Sequence, residues 1–120
     1  MANYWKLFKR ARAFYFSLGK IKCPAFNDEE VIFDQRGFKH FLFKNKGKRS
    51  ISDQIRRFKL LFKIYDFIRN AKLVGSREIF DPSKKLLWSL LYTKDDEYIK
   101  IVVLENELNK KYFISIMDKN

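Results

Sequence analysis

The chain has 120 residues, and 26 Lys and Arg against 14 Asp and Glu give it a formal charge of +12. A field of that size gathers phosphate polymers and repels cationic partners, so the expected partner is a polyanion, RNA first. With 47% hydrophobic and 18% aromatic residues there is enough apolar surface for a core, which excludes wholesale disorder, and the length suits a single domain over residues 1–120.

The pass along the chain begins with Trp5, Phe8, Ala11, Tyr15 and Leu18 at helical spacing, while Lys6, Lys9, Arg10 and Arg12 fall mainly outside that stripe. This predicts an amphipathic helix within residues 1–22, stopped at Gly19. The same cations interrupt any apolar run, so neither a signal peptide nor a spanning helix is expected, and no integral membrane association. Cys23 is the only cysteine, which excludes an intramolecular disulfide and a Cys-rich zinc site and points to a reducing, cytoplasmic setting.

Cys23-Pro24-Ala25-Phe26-Asn27 breaks the periodicity, and Val31-Ile32-Phe33 is a short β-prone run that either pairs or leads into the next element. A short helix then fits from Gln35, with Phe38, Phe41 and Leu42 on one face, ending in Asn45-Lys46-Gly47-Lys48. Ser50, with Asp53 three residues on, reads as the N-cap of a longer helix whose stripe is Ile51, Ile55, Phe58, Leu61 or Phe62, Tyr65 and Ile68. After Gly75 the period becomes strand-like over Glu78–Phe80, Leu86–Thr93, Tyr98–Glu105 and Lys111–Met117, with turns at Asp-Pro-Ser, Lys-Asp-Asp-Glu and Asn-Glu-Leu-Asn. The expected fold is therefore α+β, with N-terminal helices packed on a C-terminal antiparallel sheet of three to four strands.

Charge is uneven along this plan. Between Arg36 and Lys59 lie Arg36, Lys39, Lys44, Lys46, Lys48, Arg49, Arg56, Arg57 and Lys59 against Asp53 alone, which marks the polyanion surface. Lys100 is added to it from the predicted sheet. Acids gather instead at 28–30, 95–97 and 105–107.

No P-loop, Rossmann glycine pattern, His-Glu-x-x-His, EF-hand loop or nucleophile elbow occurs, so no cofactor or metal is expected. One histidine remains, His40, among cations. Metal-independent RNA cleavage needs a base for the 2'-hydroxyl proton, a cation for the phosphorane and an acid for the leaving 5'-oxygen. His40 and an arginine suit the first two roles. With a single imidazole the proton work would be shared with Tyr92, Ser115, Lys39 or Lys100.

Val31-Ile32-Phe33-Asp34-Gln35-Arg36-Gly37-Phe38-Lys39-His40, followed by Ile55-Arg56-Arg57-Phe58-Lys59-Leu60-Leu61, resembles the barnase, EndoU, colicin and RelE-like (BECR) nuclease superfamily over residues 30–117, especially its phage and mobile-element branches. The resemblance implies metal-independent endoribonucleolysis, often as a toxin, with an antitoxin or immunity protein as the corresponding partner. It assigns the catalytic roles to His40, Arg57 and Ser115, with Arg56 as the alternative arginine and Tyr92 as the alternative hydroxyl.

The rival expectation is a non-catalytic RNA- or DNA-binding protein using the same basic helices, since both need cations on one face and only the enzyme needs a positioned proton carrier. Surface association with anionic lipid through residues 4–18 is the third. Against the sharper roles, His40 reads equally as a plain surface histidine, and Arg56 and Arg57 as a solvated helix face. Ser115 reads as a hydroxyl satisfied in the sheet, placed by strand parity with Phe113 and Met117. Trp88, Tyr92 and Tyr98 read as core or sheet-surface residues.

Overall fold

A computed structural model describes residues 2–44, 47–79 and 85–118. Helix α1 (Ala2–Leu18) opens the chain, and Gly19, at φ +61, turns it into strand β1 (Lys20–Cys23). A 3-10 turn over Pro24–Phe26, with Asn27 and Asp28 in the left-handed region, leads back along β2 (Glu29–Ile32). Helix α2 (Gln35–Leu42) is followed by the two-residue strands β3 (Phe43–Lys44) and β4 (Gly47–Lys48), then α3 (Ile51–Leu61) and α4 (Ile64–Asn70). Strands β5 (Lys72–Ile79), β6 (Lys85–Lys94), β7 (Glu97–Glu105) and β8 (Lys111–Asp118) complete it.

The class is α+β, as the change of period after Gly75 predicts, but the sheet is larger than expected. It has six strands in the order β1-β2-β8-β7-β6-β5, and β2 runs parallel to β8. Of the N-terminal hairpin, the sequence marks only Val31-Ile32-Phe33 as β-prone, and Val31 and Ile32 do pair in β2; β1 escapes because Lys20-Ile21-Lys22-Cys23 alternates over four residues only, and β2 opens on two glutamates. Burial resolves the ambiguity: Ile21, Cys23 and Val31 enter the core from one face of the hairpin.

Two helical expectations also change. The N-terminal helix ends at Leu18, before Gly19 as expected, but its inward stripe is Tyr4, Ala11, Tyr15 and Leu18, while Trp5 is 56% exposed. The single helix expected from Ile51 to Ile68 is two helices, separated by a tight step in which the Lys63 N–H donates to the Leu60 carbonyl at 3.0 Å. That step rephases the stripe without a Gly or Pro, so Phe58 and Leu61 of α3 and Ile64, Phe67 and Ile68 of α4 all reach the core and Tyr65 stays outside. The expected strand Glu78–Phe80 begins at Lys72, while Phe80 and the turn at 81–83 lie outside the described residues.

The helices cover one face of the sheet, where Leu90, Tyr92, Ile99, Ile101, Val103, Phe113 and Ile116 are buried. Val102 pairs with Ser115 and Val103 with Phe113, leaving Ile114 as an extra residue in β8. The bulge inverts parity, so Ser115 faces with Val102, Lys100 and Met117, away from Phe113 and the helices. Gly37 is fixed by packing: a Cβ there would meet the Tyr15 hydroxyl and come within 2.7 Å of the Phe113 carbonyl oxygen, so only glycine lets α2 lie this close to β8. Among the described residues no helix is long and apolar enough to cross a membrane.

Candidate nucleic-acid interface

The basic segment folds into one locale at the start of α3. Asp34 caps α2, its carboxylate accepting from the Arg36 N–H at 3.1 Å, and α2 buries Gly37, Phe38 and Phe41, which leaves Lys39 and His40 on the solvent side. The chain then leaves as the β3–β4 hairpin, closed at its base by the Arg49 N–H donating to the Leu42 carbonyl at 2.8 Å. Ser50 caps α3 by accepting from the Asp53 N–H at 3.2 Å.

Asp53 is the knot of this region. Its carboxylate accepts from Arg49 Nη1 at 3.1 Å, Arg56 Nη2 at 2.6 Å and Arg57 Nε at 3.2 Å. Two of these guanidiniums are also tied to distant backbone: Arg49 Nε donates to the His40 carbonyl at 2.7 Å, and Arg57 Nη1 to the Ile116 carbonyl at 2.8 Å. The Arg49 and Arg57 side chains are 7% and 10% exposed, so they hold α2, α3 and β8 together, whereas the Arg56 side chain is 54% exposed and reaches Asp118 at 3.5 Å. Behind the knot, the Tyr4 hydroxyl bonds to buried Gln54, whose amide donates to the Arg49 carbonyl at 2.8 Å.

Partial burial would raise the Asp53 carboxyl, but the hydrogen bonds and charges of Arg56, Arg57 and Arg49 outweigh it and hold the group below the usual carboxylate range. The His40 imidazole is shifted down, first by partial desolvation of the ring and then by the charges of Arg49 and Arg57. Both effects favour the neutral ring.

An open groove of about 650 Å³ lies over this knot, lined by Lys44, Gly47, Lys48, Arg49, Ser50, Ser52, Asp53, Arg56 and Arg57. Lys44 and Lys48 are exposed and carry no ion pair among the described residues. The lining thus sets five cations against one carboxylate, which is already saturated by arginines. Such a lining favours anions over cations.

Of the residues singled out in the sequence, His40, Lys44, Lys48, Arg49, Arg56 and Arg57 come into this neighbourhood, with Lys39 beside His40 on α2 and Lys59 exposed on α3. Arg36 pairs with Asp34 at 3.1 Å and lies over the Tyr112 ring, its guanidinium 4.3 Å from the ring centroid. Tyr92 does not join them: its hydroxyl donates to Asp66 at 3.0 Å and its ring packs on Phe67, in a separate groove with Lys94, Asp95, Asp96 and Glu97. Ser115 and Lys100 belong to the sheet face turned away from the helices. Lys46 lies outside the described residues.

Sequence reasoning missed Asp53 as a clasp, Asp118 and Phe43. Asp53 had a readable signal, because Arg56 and Arg57 stand three and four after it on one face of α3, and Arg49 four before it, just ahead of the Ser50 cap. Asp118 had none, since only the fold brings it to Arg56. Among the described residues no group of three or more His, Cys, Asp or Glu gathers as a metal site. Comparison with family models, with curated proteins and with solved structures finds no match.

Proposed function

We propose that this chain binds RNA through its phosphates, in the groove between the β3–β4 hairpin and the first turns of α3. The observation that supports it is the division of labour among the cations: Arg49 and Arg57 are spent inside the fold, while Lys44, Lys48 and the half-exposed Arg56 face the groove. Three groove-facing cations, of which Arg56 is also engaged by Asp53 and Asp118, correspond to a log-log salt slope of up to about −2 for single strands, at about −0.7 per phosphate contact. Replacing Lys44 and Lys48 together by Ala should reduce that slope to about −0.7 and weaken binding to RNA of any sequence. Fluorescence anisotropy across a salt series measures it. A double variant with the wild-type slope would remove the groove from consideration.

A second reading, ribonucleolysis of the BECR type, is favoured by the lowered pKa of His40 beside two arginines. A neutral imidazole can take the 2'-hydroxyl proton as O2' attacks phosphorus and the 5'-oxygen leaves, yielding a 2',3'-cyclic phosphate. With Ser115 and Tyr92 placed elsewhere, Lys39 is the one expected proton carrier on the same helix as His40. Toxin activity, an antitoxin partner and a cytoplasmic setting belong to this reading. Phosphate binding without cleavage needs fewer parts and is the one the geometry supports best.

A further inference from the structure

Aromatic side chains fill this protein, and nearly all of them are used. Of the phenylalanines in the described residues, Phe8, Phe14, Phe16, Phe26, Phe33, Phe38, Phe41, Phe58, Phe62, Phe67 and Phe113 each pack against another ring. Phe43 is the exception: it is 50% exposed, has no ring partner among the described residues and does not join the core. Exposed Trp5, Phe16 and Tyr65 differ from it, since each sits edge-on or tilted against a neighbouring ring of α1, α2 or α3–α4.

Position gives Phe43 its meaning. In the hairpin register it stands directly opposite Lys48, and the next residue, Lys44, stands opposite Gly47. Lys44, Gly47 and Lys48 all line the basic groove; Phe43 adjoins it through Lys48, with which it shares a face, while Lys44 and Gly47 stand on the other. Opposed residues of an antiparallel pair share a face with Cβ atoms about 5 Å apart, so an uncovered ring and an unpaired ammonium are neighbours. Tyr98, the other exposed ring without a ring partner among the described residues, sits instead next to Asp95, Asp96 and Glu97 in sequence, where a phosphate would be repelled.

We infer that Phe43 is a base-stacking subsite and that the groove takes single-stranded RNA, with phosphates against Lys44, Lys48 and Arg56 and an unpaired base on the Phe43 ring. The inference rests on the phosphate reading of the groove and adds the form of nucleic acid it accepts. A base within a duplex already has both faces stacked and cannot use the ring, whereas every unpaired base offers a π-face, so the subsite selects strandedness and tolerates sequence.

The test compares three ligands, a labelled single-stranded RNA, its blunt duplex and inorganic polyphosphate, against wild type, Phe43→Ala, Phe43→Leu and Phe43→Trp. Melting temperatures of all four proteins check the fold. Phe43→Ala and Phe43→Leu should weaken single-strand binding about 10-fold or more and leave duplex and polyphosphate affinities unchanged, while Phe43→Trp should match wild type. Equal loss across all three ligands would show that the ring shapes the hairpin, and no loss, or no loss in Phe43→Leu, would show that nothing stacks there. Each of those results overturns the subsite while leaving the phosphate groove standing. A wild type that binds none of the three ligands overturns both.

Discussion

Replacing Asp53 by Asn should move stability and binding in opposite directions. The carboxylate neutralises Arg49 and Arg57, whose side chains are almost wholly buried, and Arg56, which is half exposed. The Arg56 pair is solvent-screened and contributes about 0–1 kcal/mol. Stranding a buried charge by deleting its partner costs about 3–5 kcal/mol, but Arg49 and Arg57 keep the carbonyls of His40 and Ile116, and the Asn oxygen still accepts one bond, so about 2 kcal/mol is expected. For a domain of this size that lowers Tm by roughly 8 °C. Because the native pKa is depressed, the contribution is fully present above the unfolded carboxyl value of about 4 and is lost as pH falls through the lower native value. The Tm gap between variant and wild type should therefore close in acid. Binding should tighten about threefold, since one negative charge ~6 Å from a phosphate at water-like dielectric opposes it by roughly 0.7 kcal/mol. Melting curves at neutral and acid pH and polyphosphate anisotropy at neutral pH supply the readings. A variant as stable as wild type, or a Tm gap that persists in acid, refutes the clasp; folded protein that binds no better refutes the groove.

Gly37→Ala should cost about 3 kcal/mol, because the new methyl meets the Tyr15 hydroxyl and the rigid Phe113 carbonyl, and thermal unfolding should show the loss. Near-wild-type melting would mean that α2 can retreat from β8 freely. If the chain cleaves RNA, His40→Ala should slow turnover about 10²- to 10⁴-fold with binding retained, and the acid limb of the wild-type rate profile should lie below the ordinary imidazole value of 6.5. Gel-resolved turnover in EDTA reads both; an equally active variant excludes His40, and an acid limb above 6.5 contradicts its environment.

The locality of an interaction decided how much of it could be read from the sequence. The helices around Tyr15, Phe38 and Phe58 and the long strands of the second half are written in periods of 3.6 and 2, and the cations that reach the groove lie within one acid-poor stretch. Strand β1 was hidden because it carries too few residues for a period to register. Parity put Ser115 beside Phe113, but one inserted residue, Ile114, reverses every later side chain, and no local signal in Phe-Ile-Ser-Ile marks it. Charge density singled out Arg57, yet could not tell a guanidinium facing solvent from one buried against the Ile116 carbonyl.

The parallel pairing of β2 with β8 also sets an order of assembly. It is secured by the Lys111 ammonium, 2.9 Å from Glu29, and these residues are 82 apart in sequence. Strands β5 to β8 each pair with their neighbour in sequence and can form as they emerge, whereas the β1–β2 hairpin has no place in the sheet until β8 exists. Until then the aromatic faces of α1, α2 and α3 lack the sheet they pack on, and Arg57 lacks the Ile116 carbonyl that seats it. The Arg57 side of the groove is therefore seated only once β8 has formed, and docking of the N-terminal half should be a late step of folding.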